Sequence, residues 1–118
     1  MTQSIQTPAA LRARHCTPQA SGDALDQAFV DAQLAALPGW SLRDGALERA
    51  YRFDGYPETI RFVDAVAAMA DAQDHHPRMI VDYGRCTVRW NTHSVDGISI
   101  NDFICAARCD ALGDGATH

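Results

Sequence analysis

The chain has 118 residues, of which 47% are hydrophobic and 21% are charged, and its formal net charge is −5 at pH 7. This length suits one globular domain, and the composition excludes a disordered or fibrous chain. The basic footprint of nucleic-acid-binding proteins is missing, and no apolar run approaches the roughly 18 to 20 residues of a membrane span. We therefore expect neither a nucleic-acid partner nor a membrane partner.

Residues 1–20 show no apolar periodicity and no continuous apolar core of the kind that marks a secretory signal. They predict a flexible, poorly anchored extension before a domain spanning residues 21–112, with a short C-terminal tail at 113–118. His15 beside Cys16 would also fit a metal or redox site, which is the alternative to an exposed tail. Since none of the four cysteines forms a Cys-x-x-Cys pair, we expect reduced structural thiols in a cytoplasmic protein.

Apolar spacing and turn residues predict the elements of the first half of the chain. A helix is expected over residues 23–36, where a Pro-Gly pair follows and stops it. Alternating apolar residues flank Asp44-Gly45, a dipeptide favoured in tight turns. This pattern predicts a β-hairpin with strands at 40–43 and 47–53.

The second half is predicted to hold two helices around another hairpin. A long helix over residues 57–74 starts at a proline and should end before Pro77, because the residue before proline disfavours helical conformation. Its apolar residues cover more than one narrow face, which favours packing on both the sheet and a second subunit. Strands are expected at 79–83 and 86–92, with Cys86, Val88 and Trp90 on the core face.

A last helix is predicted over residues 100–111, because Ser99 and Asp102 have the spacing of a capping box. The resulting order is α-β-β-α-β-β-α. It predicts an α+β fold, in which a four-stranded antiparallel sheet has three helices packed on one face. The free edges of such a sheet favour dimerisation by joining sheets.

The stretch from residue 71 to residue 102 holds three of the five histidines, with carboxylates at both ends. Histidine exchanges protons near neutral pH. The predicted elements bring these side chains from a helix end, a strand end and a helix start, which favours a paired acid/base site. The alternatives are that each imidazole merely caps a helix, that Asp102 is only the capping-box acid, or that three histidines and Asp102 ligate a metal ion. His-His adjacency makes joint coordination of one metal ion awkward.

The order and spacing of Asp71, His75-His76-Pro77, Tyr83, His93 and Asp102 resemble those of the pterin-4a-carbinolamine dehydratase family. The family pattern is a charged residue, His-His-Pro, an aromatic residue, a histidine and an aspartate. In this chain those positions are Asp71, His75-His76-Pro77, Tyr83, His93 and Asp102. The resemblance extends over about residues 21–112, while Met79 and Asn101 depart from the residues that some members carry.

The resemblance implies a hydro-lyase that converts 4a-hydroxytetrahydropterin to quinonoid dihydropterin and water during tetrahydrobiopterin recycling. It implies a functional link to an aromatic amino acid hydroxylase, no metal and no cofactor. It also implies a homodimer formed by joining sheets, or a homotetramer formed through helices. The alternative within the family is a non-catalytic binding module that acts as a dimerisation cofactor or assembly chaperone.

The resemblance also implies roles for individual residues. His75 and His93 would be the acid/base pair, His76 would bind and orient the pterin, and Asp102 would support His93. Which imidazole donates the proton stays open. The implied catalytic set is His75, His76, His93 and Asp102, and the implied substrate-binding set is His76, Pro77, Asp82 and Tyr83.

Overall fold

The computed structural model describes residues 4–113. Its helices and strands are, in chain order, α1 (Pro8–Arg12), α2 (Gln27–Ala35), β1 (Ser41–Arg43), β2 (Ala46–Arg52), α3 (Tyr56–Gln73), β3 (Arg78–Asp82), β4 (Arg85–Trp90) and α4 (Ile100–Gly113), with a single 3₁₀ turn at His93–Val95. Between residues 4 and 113, no helix combines the length and apolar character needed to cross a membrane.

The four strands form one antiparallel sheet in the order β1-β2-β4-β3. Each predicted hairpin pairs its own strands, and the central β2–β4 pairing joins the two hairpins, with Leu47 opposite Trp90 and Arg52 opposite Arg85. The predicted α+β class, the antiparallel sheet and the order of the three longer helices are therefore confirmed. The shortest strand, β1, and the five-residue β3 form the two edges.

The core lies between the sheet and the two long helices α3 and α4. Cys86, Val88 and Trp90 alternate along β4 and are all fully buried, as the alternation predicts. From α3, Phe62 and Val66 pack into the same cluster. Helix α4 is buried along most of its length, because it lies between the sheet and α1.

The N-terminal segment differs from the expected flexible extension. Residues 8–12 form α1, which packs on α4 and buries Leu11 completely. Thr7 caps α1 by accepting the Ala10 N–H at 3.1 Å, and Pro8 occupies the first turn. Because the segment has one large buried apolar residue and no periodicity, the sequence pattern does not reveal its docking. Residues 1–3 and most of the predicted tail, 114–118, lie outside the described part of the chain.

Candidate active site

The C-terminal end of α3 sets the position of His75. Asp74 follows the helix in the left-handed conformation, with φ at 52°, and its N–H bonds back to Asp71. The His75 N–H then donates to the Ala70 carbonyl at 3.1 Å, which completes a helix-ending turn. This turn directs His75 across the end of the sheet, while Pro77 starts the chain toward β3.

A buried carboxylate holds the His75 ring at one edge. His75 Nε2 lies 2.6 Å from Asp102 Oδ1, and Asp102 is fully buried in the first turn of α4. The other carboxylate oxygen accepts the Thr92 hydroxyl at 2.8 Å and the Ser99 N–H at 2.9 Å. Because both of its oxygens accept hydrogen bonds, the Asp102 carboxylate is fixed in place. Since it occupies Nε2 of His75, the Nδ1 atom of His75 is the ring nitrogen left to exchange a proton.

The face of the same imidazole rests on an aromatic ring. His75 and Trp90 stack with ring centroids 5.5 Å apart and an interplanar angle of 14°. Trp90 is fully buried at the end of β4. The hydrogen bond to Asp102 therefore fixes the His75 ring within its plane, and the stacking on Trp90 prevents the ring from tilting. Such restraint suits a group that transfers protons.

The environment of His75 favours its protonated form. Burial lowers the pKa of the imidazole, but the hydrogen bond to Asp102, the charge of that carboxylate and the charges of Cys16 and Asp74 together raise it by more. The pKa of His75 therefore lies above its ordinary value, and the ring stays cationic to a higher pH than a free histidine does.

A cavity of about 300 Å³ opens beside His75. The elements around it are the end of α3, the segment after β4, the start of α4 and the N-terminal segment. Its lining residues are Cys16, Thr17, Pro18, Gln19, Gln73, Asp74, His75, Thr92, Ser94 and Asn101. This volume is large enough to hold a small organic molecule beside His75.

Two thiols meet at the cavity wall, where Cys16 is one of the lining residues. Cys16 Sγ lies 3.5 Å from Cys105 Sγ on α4, and all four cysteines are free. The hydrogen bond from Cys105 lowers the pKa of the Cys16 thiol, burial raises it, and the nearby His75 lowers it again. The net effect is a pKa below the ordinary value, which makes Cys16 the more reactive thiol of the pair.

The other two predicted histidines are exposed. His76 is turned away from the cavity side of the turn, and its Nε2 lies 3.4 Å from Asp71 Oδ1. His93 begins the 3₁₀ turn directly after Thr92. The structure thus separates the adjacent pair, with His75 in the cavity lining and His76 at the surface.

The expectation that Asp102 supports His93 requires correction. The imidazole that Asp102 contacts is that of His75, and its connection to His93 runs through the preceding residue, Thr92. Asp102 does not contact His93, because the buried residue that follows β4 is Thr92. The Thr92 hydroxyl reaches the carboxylate, while the next residue, His93, is exposed. Asp102 does accept the Ser99 N–H as the capping-box spacing predicts.

The residues expected to bind substrate beyond the His-His pair lie away from this cavity. Asp82 pairs with Arg85 at 3.2 Å in the turn of the second hairpin. Tyr83 is 72% exposed, and its ring stacks on Tyr56 at 6.4 Å. Pro77 is half-buried between the His-His pair and β3. None of the three belongs to the cavity lining given above.

Sequence reasoning missed the N-terminal part of the cavity wall. The Thr17-Pro18 pair favours an extended backbone, because the residue before proline avoids the helical conformation. This pattern does not indicate that the segment lies near His75. Thr92 was also missed as an Asp102 partner. Within residues 4–113, the structure contains no cluster of three or more His, Cys, Asp or Glu side chains arranged to hold a metal ion.

Comparisons with known proteins agree on one family. A family model described as pterin 4 alpha carbinolamine dehydratase matches residues 23–112. Relatives from Paracidovorax citrulli and Xylella fastidiosa (strain 9a5c) both bear the name "Putative pterin-4-alpha-carbinolamine dehydratase". The first is 56% identical over 93 residues, 75% of this chain and 80% of that protein. The second is 48% identical over 101 residues, 83% of this chain and 87% of that protein.

Solved structures share the fold. A crystal structure of a transcriptional coactivator/pterin dehydratase from Brucella melitensis has a TM-score of 0.73 and 29% identity, and the match covers 76% of this chain and 98% of that one. A pterin dehydratase-like protein, a RuBisCO assembly factor in the alpha-carboxysome, has a TM-score of 0.54 and 23% identity, with 66% and 89% covered. At that identity the second likeness concerns the fold alone.

Proposed function

The chain belongs to the pterin-4-alpha-carbinolamine dehydratase family, and from this premise we propose that it dehydrates a 4a-hydroxytetrahydropterin to quinonoid dihydropterin and water. The observation that carries the proposal is the His75–Asp102 pair, 2.6 Å apart at a cavity of about 300 Å³. It supplies an oriented imidazole whose pKa is raised, at a site large enough for a bicyclic pterin.

His75 acts as the general acid in this proposal. Its Nδ1–H donates a proton to the 4a hydroxyl, the C4a–O bond breaks, and water leaves. Asp102 stabilises the cationic ring before the transfer and keeps Nε2 protonated throughout. The raised pKa of His75 supports this role, because a general acid must be protonated when the substrate arrives.

His93 takes the proton from ring nitrogen N5, so that a C4a=N5 double bond forms as the hydroxyl departs. Thr92 tethers the chain just before His93 to the Asp102 carboxylate, which links the positions of the two imidazoles. His76, Pro77, Asp82 and Tyr83, which the family resemblance implies as substrate-binding residues, lie outside the cavity lining and are assigned no contact with the ring in this proposal. Solvent exchange restores both histidines, since His75 has lost one proton to the departing water and His93 has gained one from N5.

The proposed context is cytoplasmic tetrahydrobiopterin recycling. The substrate is the product that a pterin-dependent aromatic amino acid hydroxylase leaves behind, and the reaction uses only histidines of the chain, with no cofactor.

We also propose a homodimer or homotetramer, since β3 offers an edge with exposed Ile80 and Val81.

The test follows the decay of enzymatically generated 4a-hydroxytetrahydropterin by absorbance, with and without the protein. We expect His75→Ala and His93→Ala each to lower the catalysed rate, by about 10² to 10⁴-fold for an acid or base in place. Arg52→Ala, on the exposed side of β2, is the control and should keep the full rate. If micromolar wild-type protein leaves the decay unchanged, the dehydratase proposal is wrong.

A second candidate function is binding of a macromolecular partner. It is favoured by the Brucella melitensis relative, whose description joins a transcriptional coactivator to a pterin dehydratase. The same assay separates the two, because a binding module without catalysis leaves the decay rate at its background value.

A further inference from the structure

One wall of the cavity comes from a part of the chain that lies outside the residues matched by the family model. Four lining residues, Cys16 to Gln19, precede residue 23, where the family model begins. In the match to the Brucella melitensis structure, nearly all of that chain aligns with 76% of this one. Roughly a quarter of this chain therefore has no counterpart there.

Side chains of the catalytic domain hold this segment through its backbone. Thr17 N–H donates to Asn101 Oδ1 at 3.1 Å, and Asn101 Nδ2 donates back to the Thr17 carbonyl at 2.7 Å. Cys16 N–H donates to Gln73 Oε1 at 2.7 Å. Arg108 donates to the Arg14 carbonyl at 2.6 Å. These contacts engage backbone groups of the segment and do not use the side chains of Thr17 and Gln19.

The two side chains present complementary polar groups. Gln19 Nε2 donates to the Thr17 carbonyl at 3.0 Å and to Thr17 Oγ1 at 3.2 Å. The Thr17 hydroxyl is thereby used as an acceptor, and its O–H remains to donate. Gln19 Oε1 accepts no hydrogen bond from any residue between 4 and 113, so it remains to accept.

We propose that residues 16–19 form a substrate-contacting wall of the pterin site, and that Thr17 and Gln19 select pterins with a hydroxylated substituent at C6. This inference rests on the proposed dehydratase function. In a pterin, C6 is bonded to N5, so the substituent leaves the ring beside the reacting atoms and near the neighbours of His75. A hydroxyl on that substituent can donate to the Gln19 side-chain carbonyl and accept from the Thr17 hydroxyl.

Cys16 offers a direct test of contact, because it is half-buried in the wall whereas Cys86, Cys105 and Cys109 are fully buried. The native protein is alkylated with iodoacetamide, with and without a stable 7,8-dihydropterin carrying a dihydroxypropyl group, and the modified site is identified by mass spectrometry. At a ligand concentration ten times its independently measured Kd, Cys16 alkylation should slow about tenfold. An unchanged rate would overturn the inference.

Selectivity is tested with Thr17→Val and Gln19→Leu, which roughly keep side-chain size and leave in place the contacts of the segment's backbone with Gln73 and Asn101. The measurement is the ratio of kcat/KM for the dihydroxypropyl substrate to that for its 6-methyl analogue. Each variant should lower this ratio about five- to tenfold, the worth of a lost hydrogen bond. Arg12→Ala, an exposed change in the same segment, should leave it unchanged. A ratio equal to that of the wild type in both variants overturns the selection.

The outcomes separate this inference from the function on which it rests. If the wild-type protein accelerates dehydration but pterin does not protect Cys16, the wall is wrong and the dehydratase stands. If dehydration is not accelerated, the dehydratase is wrong, and protection of Cys16 would still show that pterin reaches residues 16–19.

Discussion

Asp102 connects the three chain segments that form the site. Its carboxylate accepts from His75 at the end of α3, from the Thr92 hydroxyl after β4, and from the Ser99 backbone before α4. A fully buried carboxylate is costly unless its oxygens are hydrogen-bonded, and here each oxygen has a partner. In the proposed mechanism Asp102 is a positioning residue that acts through His75.

Replacing Asp102 with Asn tests this role through the pH dependence of the rate. Because Asp102 raises the pKa of His75, its removal should lower that pKa. A general acid loses activity as pH rises through its pKa, so the falling limb of the kcat profile should move to lower pH in Asp102→Asn. At neutral pH the rate should fall about 10- to 100-fold.

The control for that charge change is Asp64→Asn on the exposed face of α3, which should keep the wild-type profile. A profile whose falling limb stays in place in Asp102→Asn, with only a reduced plateau, would show that His75 is not the acid.

At the scale of elements, the sequence pattern predicted the features that depend on neighbouring residues, namely the faces and ends of individual helices and strands. The alternation of Cys86, Val88 and Trp90 gave the core face of β4, and the turn before Pro77 gave the end of α3. The partner of Asp102 could not be read in the same way. His75 and His93 lie 27 and 9 residues from it, and only the packing of α3 against α4 decides between them. The docking of α1 was missed because one buried leucine produces no periodic signal.

Helix α1 is too short to be stable by itself, so its contribution should come from Leu11. Leu11 is fully buried against α4. Leu11→Ala should lower the free energy of unfolding by about 2 to 5 kcal/mol in urea titration. The neighbouring Arg12→Ala, which is exposed, should change it by about 0.5 kcal/mol or less. Equal stabilities for the two variants would contradict the docking of α1.

At the scale of the molecule, the open sheet presents two edges of unequal character. The three residues of β1 form one edge, and the five residues of β3 form the other, with Ile80 and Val81 42% and 38% exposed. An edge strand that carries exposed apolar residues is suited to pairing with a second copy.

Val81→Lys should therefore weaken the proposed dimer at least about tenfold, because a charge in an apolar strand interface is disfavoured. Sedimentation equilibrium measures the dissociation constant. The matched change on the opposite edge, Ser41→Lys, should leave it unaltered. If Ser41→Lys dissociates the dimer and Val81→Lys does not, the subunits join through β1.

The attachment of residues 16–19 to α4 also bears on how the protein folds. The contacts of Cys16 and Thr17 with Asn101 span 85 and 84 residues, whereas both hairpins close over short turns. Closing so long a loop costs conformational entropy and generally follows the formation of local structure. During refolding, the tryptophan signal of the sheet should therefore recover before the rate of Cys16 alkylation reaches its native value. The newly formed fold would pass through a stage in which the sheet is complete and the cavity beside His75 still lacks its outer wall.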